Sequence, residues 1–142
     1  MLNELYTKKI LDITAHISHV GRLDAPQASA HAVARLCGSE IQVDLSLDET
    51  GAVKAFAQEI SACALGQACA AIVANHIEGT QPTEIRQVAG VMRAMLKTGG
   101  LPPTGRWADL ALLEGVRAYP ARHGSTLLVF EAIEKCLDQL GV

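Results

Sequence analysis

The chain has 142 residues, 49% hydrophobic, 19% charged and only 4% aromatic, with a net charge of −3. That length fits one domain over residues 1–142, burying roughly 70% of its unfolded surface in a core of aliphatic side chains and alanine, with no need of disulfides or metal. The acidic balance, with no block among the 12 Lys and Arg, excludes a phosphate-binding surface, so nucleic acid is not an expected partner.

No apolar run is long enough to cross a bilayer, and Met1-Leu2-Asn3-Glu4-Leu5-Tyr6 lacks the layout of a secretory signal. The expected location is the cytoplasm, with no membrane partner. Cys37, Cys63, Cys69 and Cys136 show no close CxxC spacing, and a reducing cytosol keeps them as thiols.

The chain opens with Leu2, Leu5, Tyr6, Ile10, Ile13 and Ile17, a spacing of three and four that predicts an amphipathic helix. A loop holding Gly21, Asp24 and Pro26 follows, and the alternation from Ala30 to Cys37 predicts a strand. Ile41, Val43, Leu45 and Leu47 then alternate with polar residues, which marks a strand with one wet face. Asp48-Glu49-Thr50-Gly51 reads as a turn, sending a third strand, about Ala52 to Ile60, back antiparallel.

An alanine-rich helix follows Cys63 and is expected to close at Gly79, a residue suited to the left-handed C-terminal position. Thr83 is the expected cap of a second helix with the stripe Ile85, Val88, Val91, Met92, Met95 and Leu96, ending at Gly99-Gly100. After Pro102-Pro103, a short segment from Ala108 to Val116 is apolar at Leu110, Leu112, Leu113 and Val116. A final helix starts near Gly124 or Ser125 and ends at Gly141.

Cys63 sits at a helix mouth, where unpaired N–H groups and the macrodipole favour a thiolate. Taken alone, a cysteine in so alanine-rich a segment reads more readily as one more small core residue. Cys69 lies six residues further on, about 120° away around the helix, and Cys136 falls among Ile133, Leu137 and Leu140; both read as core. No phosphate loop, nucleophile elbow or paired carboxylates are present, so an enzyme activity of its own is not expected.

Leu5-Tyr6-Thr7-Lys8-Lys9-Ile10-Leu11-Asp12, Cys37-Gly38-Ser39 before an alternating strand, Cys63 before a small-residue helix ending Glu78-Gly79, and Asp109 to Arg122 together resemble the NifU/IscU/SufU-type iron–sulfur cluster assembly scaffolds. The likeness covers nearly the whole chain and is nearest to the SufU-like branch, which the segment Thr83 to Leu96 also resembles. It implies an α+β fold of the SufE/NifU-like kind, a three-stranded antiparallel sheet with about five helices packed mainly on one face.

The resemblance further implies a protein that binds iron or a labile cluster through cysteine thiolates and passes it to apo-proteins. A cysteine desulfurase and apo iron–sulfur proteins are the implied partners, and iron, an iron–sulfur cluster or zinc the implied cargo. An alternative is a diverged interaction module that binds a desulfurase or an apo-target without assembling clusters. Cys37 and Cys63 match family ligand positions, whereas Ser39 stands where the family has Asp and Ser125 where it has a third Cys. His123 is a candidate third ligand, with water or a partner thiolate as the fourth. As a monomer or homodimer, the chain could alternatively contribute two cysteines from each of two subunits.

Overall fold

A computed structural model describes residues 7–142; the expected helical positions Leu2, Leu5 and Tyr6 lie outside the described residues. Helix α1 is Lys8–Thr14, capped by the Thr7 hydroxyl, which accepts from the N–H of Ile10. Ile10 is buried, and Ile13 and Ile17 pack against the core from its half-buried edge.

Strands β1 (Ala28–Ala34), β2 (Ser39–Leu47) and β3 (Val53–Ser61) form an antiparallel sheet in the order β1-β2-β3. In register, Ala32 pairs with Ile41, and Ile41 with Ile60. The alternation seen in the sequence sends Ala28, Ala30, Ala32, Ile41, Val43 and Leu45 to the covered face, all 7% exposed or less. Expected to run through Cys37, β1 ends at Ala34, because Arg35 to Gly38 form a turn closed by Gly38 in the left-handed region (φ 66°). Cys37 therefore stands in the hairpin turn, off the ladder.

Both sheet edges are partly occupied, which blunts their capacity to pair with other chains. Along β3, His19 C=O accepts from Gln58 N–H (2.8 Å) and Gly21 N–H donates to Gln58 C=O (2.9 Å). On β1, Lys135 Nζ donates to His31 C=O (3.0 Å) and Gln139 Nε2 to Ser29 C=O (2.7 Å). The loop beyond Gly21 is tied down at Asp44, a fully buried carboxylate on β2. Arg22 grips it with two donors (2.7 and 3.0 Å), joined by Leu23 N–H and the Ser29 hydroxyl. Burial opposes ionisation of Asp44, but those donors and the Arg22 charge outweigh it and hold the carboxyl below its ordinary range.

Helix α2 (Ala64–His76) is buried on nearly every side, which is why its alanine-rich sequence carries little amphipathic contrast. It stops at His76, ahead of the expected Gly79. Gly79 (φ 85°) instead turns the chain so that its N–H reaches the carbonyl of Val53 at 2.8 Å. Helix α3 is Pro82–Lys97, with Gln81 at the cap and Pro82 at the first helical position. Thr83, the expected cap, lies inside its first turn.

The segment expected at Ala108 to Val116 is a long run of 3-10 turns, Gly105–Ala118. Its buried residues Trp107, Leu110, Leu113 and Val116 recur every third position, matching about three residues per turn of that helix and leaving Leu112 off the core stripe. A short turn, Pro120–Arg122, leads into helix α4 (His123–Gln139), which packs across β1 and β2 and against α2 and α3. The buried apolar side chains make one contiguous core between these helices and one face of the sheet. The architecture is thus the expected α+β arrangement, with five helices among the described residues, counting the long 3-10 run and leaving aside the short turn Pro120–Arg122. Among the described residues no helix is long and apolar enough to cross a membrane.

Candidate functional site

Three chain segments meet at the end of the sheet where α4 begins. The β1–β2 turn brings Cys37, the first residue of β2 is Ser39, and the exit from β3 brings Cys63. The Cys37 thiol donates to the carbonyl of Ala121 at 3.1 Å. The Ser125 hydroxyl, fully buried in the first turn of α4, lies 3.3 Å from the Cys63 sulfur and 3.1 Å from the Ser39 hydroxyl. Four of the sequence-expected site residues, Cys37, Ser39, Cys63 and Ser125, are therefore gathered around Ala121 to Ser125. Both thiols are half-buried and neither is in a disulfide.

Cys63 is the N-cap of α2, with extended backbone (φ −65°, ψ 168°). Burial pushes its thiol up, but the Ser125 hydroxyl, the N–H groups of Gly66 and Leu65 and the charge of Arg122 together hold it below the ordinary range. No cap hydrogen bond is closed on the thiol as it stands, so these N–H groups act on the charged form. Cys69 and Cys136 are the opposite case: burial raises them to about 12 and about 11, and both sit in the core as expected.

Gly66 was not singled out by the sequence reasoning, yet it sets the approach of α2 to α4. A Cβ there would lie 2.8 Å from the Ser125 carbonyl oxygen and 3.0 Å from its hydroxyl. Its signal was visible in principle, since a glycine inside the first turn of a helix costs about 1 kcal/mol relative to alanine and demands a reason. Ala121 and Arg122 stand out in the sequence only as part of the stretch from Asp109 to Arg122.

His123 does not join the two thiols. It is 8% exposed, and its Nε2 faces the carbonyls of Val116 (3.1 Å) and Arg117 (3.2 Å), which both require it to donate. Among the described residues, no group of three or more His, Cys, Asp or Glu is placed to hold a metal ion. Cys37, Cys63 and His123 are thus not gathered into one cluster in this structure: placed as the first residue of α4, the imidazole turns its Nε2 back onto the preceding 3-10 turns.

The described residues therefore bring two thiols and two buried hydroxyls to this end of the sheet. Serine hydroxyls are poor ligands for iron or zinc, because their protons are hard to remove near neutral pH. Two thiolates are half of what an iron–sulfur cluster takes.

This arrangement of a three-stranded antiparallel sheet, with one thiol in the first hairpin and another at the mouth of the helix after the third strand, is that of a scaffold fold. The chain belongs to the NifU-like N-terminal domain family, whose pattern matches residues 5–126. It is similar to the crystal structure of a nitrogen-fixing NifU-like protein (N-terminal) from Brucella abortus, at 40% identity and a TM-score of 0.95 over 99% of this chain and 96% of that one. It is 25% identical, over 136 residues, to the iron–sulfur cluster assembly scaffold protein IscU of Thermotoga maritima, covering 96% of this chain and 94% of that protein. A SufU protein from Fervidobacterium islandicum shares the fold at 20% identity and a TM-score of 0.85, over 94% of this chain and 96% of its own.

Proposed function

We propose that this chain is an iron–sulfur cluster assembly protein of the NifU/IscU type. Residues 1–142 act as a single scaffold domain that holds iron or a labile cluster on Cys37 and Cys63 and passes it to apo-proteins. The observation that carries the reading is the convergence of these two thiols on the start of α4, through Ala121 and Ser125, within a NifU-like fold. Cys63, held below the ordinary thiol range, is activated as a nucleophile. It is suited to attack the outer sulfur of a desulfurase persulfide: a new S–S bond forms on Cys63 as the donor's S–S bond breaks and its thiolate leaves. The protein acts as a carrier and has no turnover of its own. Its partners are a cysteine desulfurase and apo iron–sulfur proteins, and its place is the cytoplasm, where thiols stay reduced.

Iron–sulfur cargo is preferred over zinc because the chain belongs to the NifU-like family and resembles an iron–sulfur cluster assembly scaffold over 96% of its length. Anaerobic reconstitution with iron and sulfide tests the reading. Bound iron and visible absorption that survive gel filtration are expected, and Cys63→Ala is expected to lose both. Iron-free wild-type protein would overturn it in favour of the interaction module.

A further inference from the structure

Among the described residues, His19 is the one position other than glycine with a positive φ, at 60°. Side chains avoid that left-handed region, and His19 is held in it by a chain of polar contacts remote from the thiols. Its Nε2 lies 3.0 Å from Glu78 Oε1, just past the end of α2. Its Nδ1 lies 2.8 Å from the Ser18 hydroxyl, which donates to Asn75 Oδ1 at 3.3 Å. The backbone continues the attachment: His19 C=O accepts from Gln58 N–H, and Gly21 N–H donates to Gln58 C=O. The Gln58 side-chain amide bonds the carbonyls of Ser18 and of Ala70 on α2. Residues 18–21 thus form a strap from the end of α2 to the edge of β3.

Counting protons fixes the charge of the ring in this arrangement. A carboxylate only accepts, so Nε2 carries a proton toward Glu78. A serine hydroxyl has one proton, and Ser18 gives it to Asn75, so Nδ1 must also donate. The ring is therefore an imidazolium paired with a carboxylate. A neutral ring keeps one N–H. With that N–H on Glu78, Nδ1 becomes an acceptor, draws the Ser18 proton to itself and breaks the bond to Asn75. Rotation of the Asn75 amide can restore a bond to Ser18, but the ion pair is gone. Other charges near the ring are engaged elsewhere. On the strap, Arg22 is held by Asp44 and sensed by Glu59 of β3, and before it His16 Nδ1 faces the carbonyl of Asp12. From α2, His76 turns to Asp109, and β3 presents the uncharged ring of Phe56, with its centroid 6.1 Å away.

We propose that His19 is a proton-controlled latch: as the imidazolium it fastens the strap over the edge of β3, and on losing its proton it lets that edge open. Histidine is the side chain whose charge changes between about pH 5 and 8, so the strap is firm at the acid end of that interval and loosens toward the alkaline end. The strained backbone of His19 favours release, which leaves the Glu78 pair and the Ser18–Asn75 bond to decide the balance. Opening bares the N–H and C=O of Gln58 on an edge strand and removes one of the two carbonyls that hold its side chain. The 13 residues of α2 separate this latch from Cys63, so it works whatever the thiols carry.

The test is residue-resolved amide exchange on the full chain at about pH 6 and about pH 8, corrected for the intrinsic rate at each pH. Protection of the Gln58 and Gly21 amides is expected to fall roughly tenfold between the two, while that of Leu45 in the central strand stays constant. Asp44, the other anchor of this loop, is held below its ordinary range and stays ionised throughout, so it adds no slope. His19→Asn keeps a residue tolerant of the left-handed region but removes the titrating ring, and is expected to abolish the pH dependence. Glu78→Gln, at a half-exposed position, is expected to reduce it with an unchanged circular dichroism spectrum. Imidazole nitrogen spectra should show both ring nitrogens of His19 protonated at the lower pH. Equal protection of Gln58 and Gly21 at both pH values in the wild type would overturn the latch, as would an undiminished pH dependence in Glu78→Gln.

Discussion

The hydroxyl of Ser125 stands 3.3 Å from the sulfur of Cys63, across 62 residues of chain. It offers a proton to the thiolate and is itself backed by Ser39 at 3.1 Å. In Ser125→Ala, the thiol moves up toward its ordinary value. Alkylation of Cys63 by iodoacetamide at neutral pH, followed by peptide mass spectrometry, is expected to slow about fivefold, the equivalent of a ~1 kcal/mol hydrogen bond. In the wild type the pH midpoint of the reaction falls below the value of about 8.5 for a free thiol; an unshifted midpoint would refute the role given to Ser125.

Thiol accessibility separates the four cysteines into two pairs. Cys37 and Cys63 are half-buried at the site, whereas Cys69 and Cys136 are fully buried and pushed up to about 12 and about 11. A disulfide exchange reagent applied to native protein is expected to label two thiols, and all four only after denaturation. Rapid native labelling of Cys69 would contradict the packing of α2.

The close approach of α2 to α4 makes Gly66 intolerant of any side chain. Gly66→Ala gains helix propensity of about 1 kcal/mol but meets the Ser125 carbonyl at 2.8 Å, and overpacking of that kind costs about 1–3 kcal/mol. Net destabilisation in urea unfolding is expected, with a weakened Ser125–Cys63 hydrogen bond and slower alkylation of Cys63. Gly90, in the middle of α3 with nothing within 4 Å of its virtual Cβ, is the control. There, alanine is expected to stabilise by about 0.5–1 kcal/mol.

Asp44 pins the loop after α1 to the sheet, and its burial makes the attachment dependent on charge. Its carboxyl is lower in the folded state than in the unfolded one, so its contribution is complete above the ordinary carboxylate value. That contribution is lost as the pH falls through the folded one. Asp44→Ala removes the acceptor of Arg22, Ser29 and Leu23 and is expected to cost about 2 kcal/mol at neutral pH. The difference from wild type should shrink in acid, as measured by urea midpoints from pH 7 down to about pH 3. A constant difference across that range would count against an ionised Asp44.

Much of the fold was legible because it is written in local periodicity. Ile41 to Leu47 alternate as a strand must when one face is covered, and Asp48 to Gly51 form the expected turn, closed by Asp48 Oδ1 accepting from Thr50 and Ala52. Boundaries were less legible. Thr83 is a good cap residue, but Pro82 already meets the helix at its first position. The continued alternation past Ala34 did not reveal that Gly38 turns the chain.

By itself the sequence determined the α+β class, the family likeness and the placing of Cys63 at a helix mouth, because each depends on residues close together in the chain. Only the tertiary structure decided the site. Ser125 reaches Cys63 and Ser39 across 62 and 86 positions, and His123 turns to the carbonyls of Val116 and Arg117, away from the thiols. The direction of a side chain at the start of a helix is set by what the helix packs against. Here the packing of α4 on the sheet and on α2, permitted by the bare backbone of Gly66, gathers two thiols and two hydroxyls where a complete ligand set would need four strong donors.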